Sequence, residues 1–245
     1  AHPANIIALT FVLPLTDKDF TKALRNTSIY VVFVVPCSIA LSLLIAVLLN
    51  SNIKFRGLFQ TIFFLPYVTS VIAIGLVWSW IFNSNYGLLN YVLSWFGIAK
   101  VQWLNKPKYA LPSLIIFSVW KSMAFDILIF LAGLQTIPKD LYNAARVDST
   151  PRWRVFWKIT VPGIAPMISY AFIMGFISAF KVYNEVFSLW GGKAGPANSA
   201  ITVVYYIYDK FYNSHNYGLA SAAAVILFLI ILVLTVVQRM MGKKK

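Results

Sequence analysis

Two ionisable side chains interrupt a long apolar stretch of the sequence. Lys121 and Asp126 lie within the stretch from about 109 to 134. A charged side chain at the centre of a membrane-spanning helix costs about 2.5–3.5 kcal/mol, so it usually faces protein or water and serves a function. The two residues are about 140° apart around a helix, so we expect each to find a separate partner. Lys121 fits either a solute pathway or a structural hydrogen bond, and Asp126 favours the structural role.

Side chains suited to carbohydrate recognition lie in and beside the apolar stretches. Solute pockets combine flat aromatic faces with a few hydrogen-bonding groups, and Tyr183, Asn184 and Glu185 offer both. Tryptophans in a span also pack or form an aromatic belt at the membrane surface, and Glu185 could be an interface anchor. The residues that we predict to line a solute cavity are Trp120, Lys121, Tyr170 and Asn184.

The sequence lacks the residues for hydrolysis, nucleotide binding or a metal site. The phosphate loop Gly-x4-Gly-Lys-Ser/Thr is absent, because Gly192-Lys193 and Gly242-Lys243 lack its flanking residues. His2 and His215 are the only histidines, and both lie outside the predicted spans. We therefore predict a non-catalytic chain that binds no metal and no cofactor of its own.

The composition indicates the solvent that surrounds these residues. Hydrophobic residues make up 60% of the 245 residues and charged residues 11%, whereas about a quarter of a soluble domain is charged. So few charges cannot cover a soluble surface, and lipid is the solvent that fits. The excess of 21 Lys+Arg over 7 Asp+Glu would suggest nucleic acid in a soluble protein. Here the basic residues separate apolar stretches, so we expect no nucleic-acid binding.

Charge-free intervals predict five membrane-spanning helices, since about 20 apolar residues cross a bilayer. Lys and Arg are denser in segments 50–60, 135–162 and 238–245 than in the other connections. By the positive-inside rule these segments, and hence the C-terminus, are cytoplasmic. The sequence thus predicts an all-α, multi-pass membrane protein. The predicted spans are 27–49, 61–82, 109–134, 163–183 and 217–237.

The segment 137–162 predicts two short helices outside the membrane. Pro138 and Asp140 suit the first turn of the first helix, because proline is preorganised there and the carboxylate favours the positive end of the helix dipole. Its small-residue face could fit into a groove on another protein, although a helix resting on lipid headgroups would show a similar pattern. The residues that share this face at helical spacing are Leu141, Ala144, Ala145 and Asp148.

The second helix of this segment is predicted to begin with Thr150 as N-cap and Pro151 at the first helical position. Pro162 is expected to end it at the membrane surface. Basic residues near the headgroups would be Arg152, Arg154 and Lys158. The residues predicted along one side are Trp153, Phe156, Trp157 and Thr160.

The stretch Leu141-Tyr-Asn-Ala-Ala-Arg-Val-Asp148 resembles the EAA loop of ABC importer permeases. That loop reads roughly E-A-A-x-x-D-G-A, followed by x5-F-x2-I-x-L-P, and the residues in register are Ala144, Ala145, Asp148, Phe156, Ile159 and Pro162. Asn143 and Ser149 stand where the family has Glu and Gly. A neutral hydrogen bond would replace a salt bridge at Asn143, and a positive φ at Ser149 would cost about 1 kcal/mol. Further similarity to the carbohydrate branch, which includes the maltose and glycerol-3-phosphate permeases, lies in 130–138, 179–185, 191–198 and 205–208.

The resemblance implies a type I ABC importer transmembrane domain over 27–245, with the EAA coupling loop at about 137–162 and an external segment at 1–26. The family usually has six core spans, so a sixth, N-terminal span would precede this sequence. The EAA helix docks into a cleft of the ATPase subunit in this family. The residues that would carry the contact are Leu141, Asn143, Ala144, Ala145, Asp148 and Ser149.

The resemblance also implies the partners of an importer that works by alternating access in the bacterial cytoplasmic membrane. These are a second, homologous permease, two ATPase subunits (or a dimer of one) that bind ATP and Mg, an extracellular solute-binding protein, a carbohydrate and the bilayer. Two alternatives are a self-contained secondary transporter or channel that uses Asp126, and an intramembrane enzyme. The first would need a proton or sodium site, for which Asp126 is the one acidic residue within the predicted spans. The second would need paired catalytic groups, which the sequence does not offer.

Overall fold

The computed structural model describes residues 14–51 and 54–242, and within them it consists of helices and short connections without strands. The prediction of an all-α chain is confirmed for these residues. The helices are α1 Lys18–Asn50, α2 Arg56–Val68, α3 Val71–Ile81, α4 Leu88–Ser94, α5 Pro107–Thr136, α6 Lys139–Val147, α7 Arg152–Gly163, α8 Ala165–Phe180, α9 Asn184–Leu189, α10 Val203–Tyr208 and α11 Tyr217–Gly242.

Three of the described helices are long and apolar enough to cross a bilayer, namely α1, α5 and α11. Two bent pairs, α2–α3 and α7–α8, raise the number to five if each pair is one span. Helices suit this environment because lipid offers no partners to backbone N–H and C=O groups, which a helix satisfies internally. The predicted five spans each overlap one of these elements, and their number stays a prediction.

Three predicted spans differ from the observed helices. The first begins at Lys18 rather than at residue 27, so the predicted external segment 1–26 includes helical residues; its residues 1–13 lie outside the described part of the chain. The second is bent by 105° next to Ser70, whose backbone is non-helical. The fourth is bent by 67° at Ile164. Hydropathy reports which residues suit lipid, but it does not report the direction of the helix axis.

The chain divides into two compact units. Unit 1 contains the described residues up to Val34, Thr69–Ser118 and those from Phe176 onward, and unit 2 contains Val35–Val68 and Val119–Gly175. Unit 1 has an aromatic core, whose largest fully buried side chains include Phe20, Phe82, Phe117 and Tyr206. In this unit α3 packs on α9, and Gly75 lets the two helices approach because any side chain there would meet Ser188.

Unit 2 has a mainly aliphatic core. Phe130 and Ile164 are fully buried within it, together with Leu131, Leu134 and Ile137. Two glycines permit close packing here: a Cβ at position 163 would lie 2.7 Å from Ile137 Cδ1, and one at 133 would lie 2.8 Å from Met167 Cγ. This core carries the segment 137–162 that the sequence singles out.

Candidate functional site

The first helix of the segment 137–162 is α6, which spans Lys139–Val147. Asp140 lies in its first turn, as predicted, whereas Pro138 is its N-cap rather than a residue of the first turn. Its C-terminus closes with a Schellman motif, in which Thr150 N–H donates to Ala145 C=O at 2.9 Å and Ser149 N–H donates to Arg146 C=O at 3.0 Å. Ser149 therefore occupies the left-handed position, with φ of 51°.

The residues of α6 differ in whether their own chain covers them. Leu141, Ala144 and Asp148 are exposed, whereas Ala145 is buried, with 7% of its surface accessible. The predicted small-residue face therefore has a buried edge at Ala145 and an exposed part at Leu141, Ala144 and Asp148. Ala145 packs inside unit 2, while Ala144 offers the same small side chain to the outside.

Apolar contacts and one polar pair hold α6 on unit 2. Ile137, just before the helix, is buried and lies against Gly163. Tyr142 packs on the aliphatic core, and its hydroxyl is hydrogen-bonded to Thr160 Oγ1 at 3.2 Å. These contacts connect α6 to both α5 and α7, so a force on the exposed side of α6 would reach the unit 2 core.

The second helix differs from the prediction in three respects. Its N-cap is Pro151 rather than Thr150, since Pro151 C=O accepts from Arg154 N–H and Val155 N–H. It does not end at Pro162 but continues to Gly163. Its middle, Phe156–Thr160, is a π-helix.

The four residues predicted along one side of the second helix are covered unequally. Trp153 and Trp157 are exposed, but Thr160 is buried. The wider π turn shifts the later residues around the axis relative to α-helical spacing. The basic residues Arg152 and Lys158 are exposed, which is compatible with the predicted headgroup contacts.

The four predicted pathway residues fall in different units. Trp120, Lys121 and Tyr170 belong to unit 2, where Lys121 is half-buried and Tyr170 exposed, and Asn184 is the exposed first residue of α9 in unit 1. Their grouping around one solute stays a prediction. Asp126, by contrast, is buried in unit 2, in keeping with a structural role.

Sequence reasoning missed a set of polar contacts in unit 1. Asn26 Nδ2 donates to Ser199 C=O and to Ile201 C=O, both at 3.0 Å, and Thr27 Oγ1 accepts from Val203 N–H at 3.1 Å. The signal was present, because Asn26 and Thr27 are polar residues at the edge of an apolar stretch. Their partners lie more than 170 positions away in the chain, however, and no local pattern identifies them.

These contacts hold a turn with unusual backbone angles. Gly195, Ala197 and Asn198 have φ of 77°, 51° and 53°. Non-glycine residues in this region are strained and persist only where neighbours over-determine them. Lys22 Nζ donates to Ala197 C=O at 2.8 Å, which adds a fixed point next to those provided by Asn26. The conformation of this turn is thus fixed by side-chain hydrogen bonds from elsewhere in unit 1.

Among the described residues there is no group of three or more His, Cys, Asp and Glu that could hold a metal ion. The arrangements of interest are therefore surfaces and polar contacts. One such surface in unit 2 is the exposed side of α6.

Comparison with known proteins places these features in a family. Residues 38–245 match the family model "Binding-protein-dependent transport system inner membrane component". The chain is 36% identical over 227 residues to the arabinooligosaccharides transport system permease protein AraP of Halalkalibacterium halodurans, covering 91% of this chain and 71% of that protein. It is 35% identical over 203 residues to the trehalose/maltose transport system permease protein MalF of Thermococcus litoralis, with 83% and 68% covered.

A solved structure shows the same fold. A bacterial alginate ABC transporter, crystallised in complex with an alginate pentasaccharide-bound periplasmic protein, has a chain that superposes with a TM-score of 0.85 at 26% identity. The superposition covers 96% of this chain and 82% of that one. The resemblance inferred from the EAA loop is thereby confirmed, and the secondary-transporter alternative is set aside. The chain belongs to the family of inner membrane components of binding-protein-dependent transport systems, and it is a permease subunit of an ABC importer in the plasma membrane.

Proposed function

We propose that this permease subunit imports a carbohydrate or sugar-like solute, and that α6 receives the driving force from a separate ATPase. The relatives described above are permeases for arabinooligosaccharides and for trehalose and maltose, and the structural neighbour imports alginate. These solutes share hydroxyl-rich sugar rings. Trp120, Lys121, Tyr170 and Asn184 are the side chains that would offer stacking faces and hydrogen bonds to such rings.

The observation that carries the coupling proposal is the divided face of α6. Ala145 is buried in unit 2, while Leu141 and Ala144 are exposed beside it. A small exposed residue next to an apolar one lets another protein's backbone approach closely. Because the other side of the same helix is packed on the core, contact on the exposed side displaces the core as well.

The chain needs a partner for the energy source, because its sequence contains no phosphate loop. In this proposal two ATPase subunits bind ATP and Mg, and each presses on the EAA helix of one permease. A second, homologous permease completes the pathway, and an extracellular solute-binding protein delivers the sugar. Closure of the ATPases on ATP opens the pathway to the outside. Hydrolysis of ATP then resets the permease to its original state.

The orientation follows from the same proposal. An ATPase is cytoplasmic, so α6 must be cytoplasmic too. Two candidate spans, α7–α8 and α11, follow α6. Two crossings return the chain to its starting side, and the C-terminus with Lys243, Lys244 and Lys245 is then cytoplasmic, in agreement with the positive-inside rule.

The test compares two variants, each with one bulky side chain at a different exposed position of α6. In Ala144→Trp the indole would occupy the docking surface, and we expect the assembled importer to lose co-purification of its ATPase and solute-stimulated ATP hydrolysis. Arg146 is also exposed and lies about 160° around the helix from Ala144, so Arg146→Trp is the matched control and should keep both properties. Thermal unfolding of the isolated permease should be the same for the two variants.

The coupling proposal is wrong if Ala144→Trp retains full ATPase binding and transport. The solute class is tested separately, by the ATPase activity of the assembled importer with its binding protein and with oligosaccharides, amino acids or peptides. Stimulation by an oligosaccharide supports the carbohydrate proposal. Stimulation only by an amino acid or a peptide contradicts it and leaves the coupling proposal intact.

A further inference from the structure

A folded loop in unit 1, residues 83–103, is organised around one buried amide that the transport mechanism does not use. Asn90 Nδ2 donates to Ser84 C=O at 3.1 Å and to Val101 C=O at 2.9 Å. Its Oδ1 accepts from Val101 N–H at 3.2 Å and from Trp103 Nε1 at 3.0 Å. The side chain is only 4% exposed, and both of its N–H donors and both lone pairs are used.

Two backbone hydrogen bonds terminate α4, the helix that carries Asn90, at its C-terminus. After α4, Gly97 takes a φ of 71°, Gly97 N–H donates to Ser94 C=O at 3.1 Å and Ile98 N–H donates to Leu93 C=O at 3.2 Å. This is a complete Schellman motif with glycine in the left-handed position. The chain therefore turns sharply after α4 and returns to the Asn90 amide through Val101.

Trp103 attaches the loop to the rest of unit 1. Its ring lies 5.9 Å from the ring of Phe82 and 6.1 Å from that of Tyr109, between centroids. Phe82 directly follows α3, and Tyr109 lies in the first turn of α5. The loop is thus rigidly connected to the ends of two apolar helices.

The other side of this rigid loop is strongly apolar and exposed. Trp95 is 69% exposed and Phe96 is 75% exposed, and the rings of Tyr91 and Trp95 are in edge contact at 5.3 Å. Contiguous exposed aromatic surface is unfavourable in water and marks a surface that something else covers. The exposed large apolar residues of the loop are Tyr86, Leu88, Tyr91, Trp95, Phe96 and Ile98.

The charges around this face have one sign. Between residues 83 and 108 the sequence has no Asp or Glu, and the three basic residues Lys100, Lys106 and Lys108 are all exposed. Aromatic rings and lysines at the ends of apolar spans are the combination that settles in the headgroup region of a bilayer, where the ring is half-buried and the ammonium meets lipid phosphates.

We propose that the aromatic face of the loop 83–103, with Tyr91, Trp95 and Phe96 at its centre, is a bilayer anchor that lies in the headgroup region of an anionic membrane and sets the depth at which α5 begins. The occupant is lipid because the face lies between the ends of two apolar helices that enter the membrane. The absence of acidic residues in the segment also fits anionic headgroups. This inference rests on the membrane location of the chain and is independent of the solute and of the coupling helix.

The test uses spin labels on the assembled importer in nanodiscs of phosphatidylethanolamine and phosphatidylglycerol. Cys37, the only native cysteine, is replaced by alanine, and a single nitroxide is attached at Trp95→Cys or Phe96→Cys. Gln102→Cys, an exposed polar position of the same loop, is the control. We expect the labels at 95 and 96 to collide readily with oxygen and poorly with a water-soluble nickel chelate, and the label at 102 to show the reverse.

Two outcomes would overturn the anchor. Equal nickel accessibility at 95, 96 and 102 would mean that the face lies in water. An immobile label at 95 and 96 that neither oxygen nor nickel reaches would mean that a protein partner covers it. Tyr91→Cys provides a second reporter on the same face, and thermal unfolding of each variant verifies that the loop stays folded.

Discussion

Two short surface helices of this permease, α4 in unit 1 and α6 in unit 2, end in the same way and are held in opposite ways. Both close with a Schellman motif. The left-handed residue is Gly97 after α4, where glycine is unstrained, and Ser149 after α6, where a side chain bears the strain. The same backbone geometry is thus built once from a favourable residue and once from an unfavourable one.

The packing of the two helices differs more than their ends. A saturated buried amide, Asn90, fixes α4 and its loop. Apolar packing of Ala145 and Ile137, with one hydroxyl pair, fixes α6. Polar contacts of fixed geometry hold a position, whereas apolar contacts hold a helix without specifying one hydrogen-bond arrangement. This difference suits the proposed roles of α4 and its loop as an anchor and of α6 as a moving coupling element.

The largest effect is expected from loss of the Asn90 amide. Asn90→Leu leaves the Val101 N–H, the Trp103 Nε1–H and two carbonyls without their partner. One buried unsatisfied group costs about 1–3 kcal/mol, so we expect a loss of about 3 kcal/mol in unfolding free energy. Thermal unfolding in detergent measures it, with the exposed Asn85→Leu as control. Equal unfolding temperatures for the two variants would contradict the role of Asn90.

A smaller effect should separate the two alanines of α6. Ala145→Leu adds volume to a packed site and should destabilise the isolated permease by about 1–3 kcal/mol. Ala144→Leu adds the same atoms at an exposed site and should leave the stability unchanged. The measurement is thermal unfolding without the ATPase present. If both variants unfold alike, the division of the face into a buried and an exposed edge is wrong.

Substitution of the two left-handed residues should change the free energy of unfolding by about 1 kcal/mol in each case, in opposite directions. Ser149→Gly relieves strain after α6 and should stabilise the chain. Gly97→Ala introduces the same strain after α4, where an added Cβ would meet no atom within 4 Å, so conformational strain alone should destabilise it. Paired unfolding curves of the two variants and the parent chain are the measurement. Changes of the same sign would show that factors other than φ dominate.

The smallest effect concerns a charged contact of unit 1. Burial raises the pKa of Asp17, but hydrogen bonds from Tyr206 and the Asp19 N–H and the charge of Lys210 outweigh it, so the pKa lies below its ordinary value of 3.8. A lowered pKa in the folded state means that Asp17 stabilises the chain above about pH 4 and that this contribution is lost as the pH falls further.

The corresponding measurement is unfolding temperature against pH for the parent chain and for Asp17→Asn. The parent should lose stability below about pH 4 more steeply than the variant, because the variant has no proton to take up. The difference should be small, since the Asp17–Lys210 pair, 3.5 Å apart, is partly exposed. Parallel curves would show that Asp17 does not contribute.

The sequence by itself determined the solvent, the helical class and the location of the short helix α6. These properties are local: hydropathy over about 20 residues identifies helices suited to lipid, and Pro138 and Asp140 mark the start of α6 within a few residues. The strain that a positive φ at Ser149 would cause was also a local inference, because it followed from the alignment of one short loop with its family.

Only the tertiary structure decided which side chains are buried and which distant groups they contact. Helical spacing placed Ala144 and Ala145 on one face, but only the folded structure shows that Ala145 is buried and that Ala144 is accessible. The roles of Asn26 and Asn90 likewise depend on carbonyls brought close by folding. Periodicity assigns a residue to a side of its helix, whereas the atoms that meet that side come from distant parts of the chain.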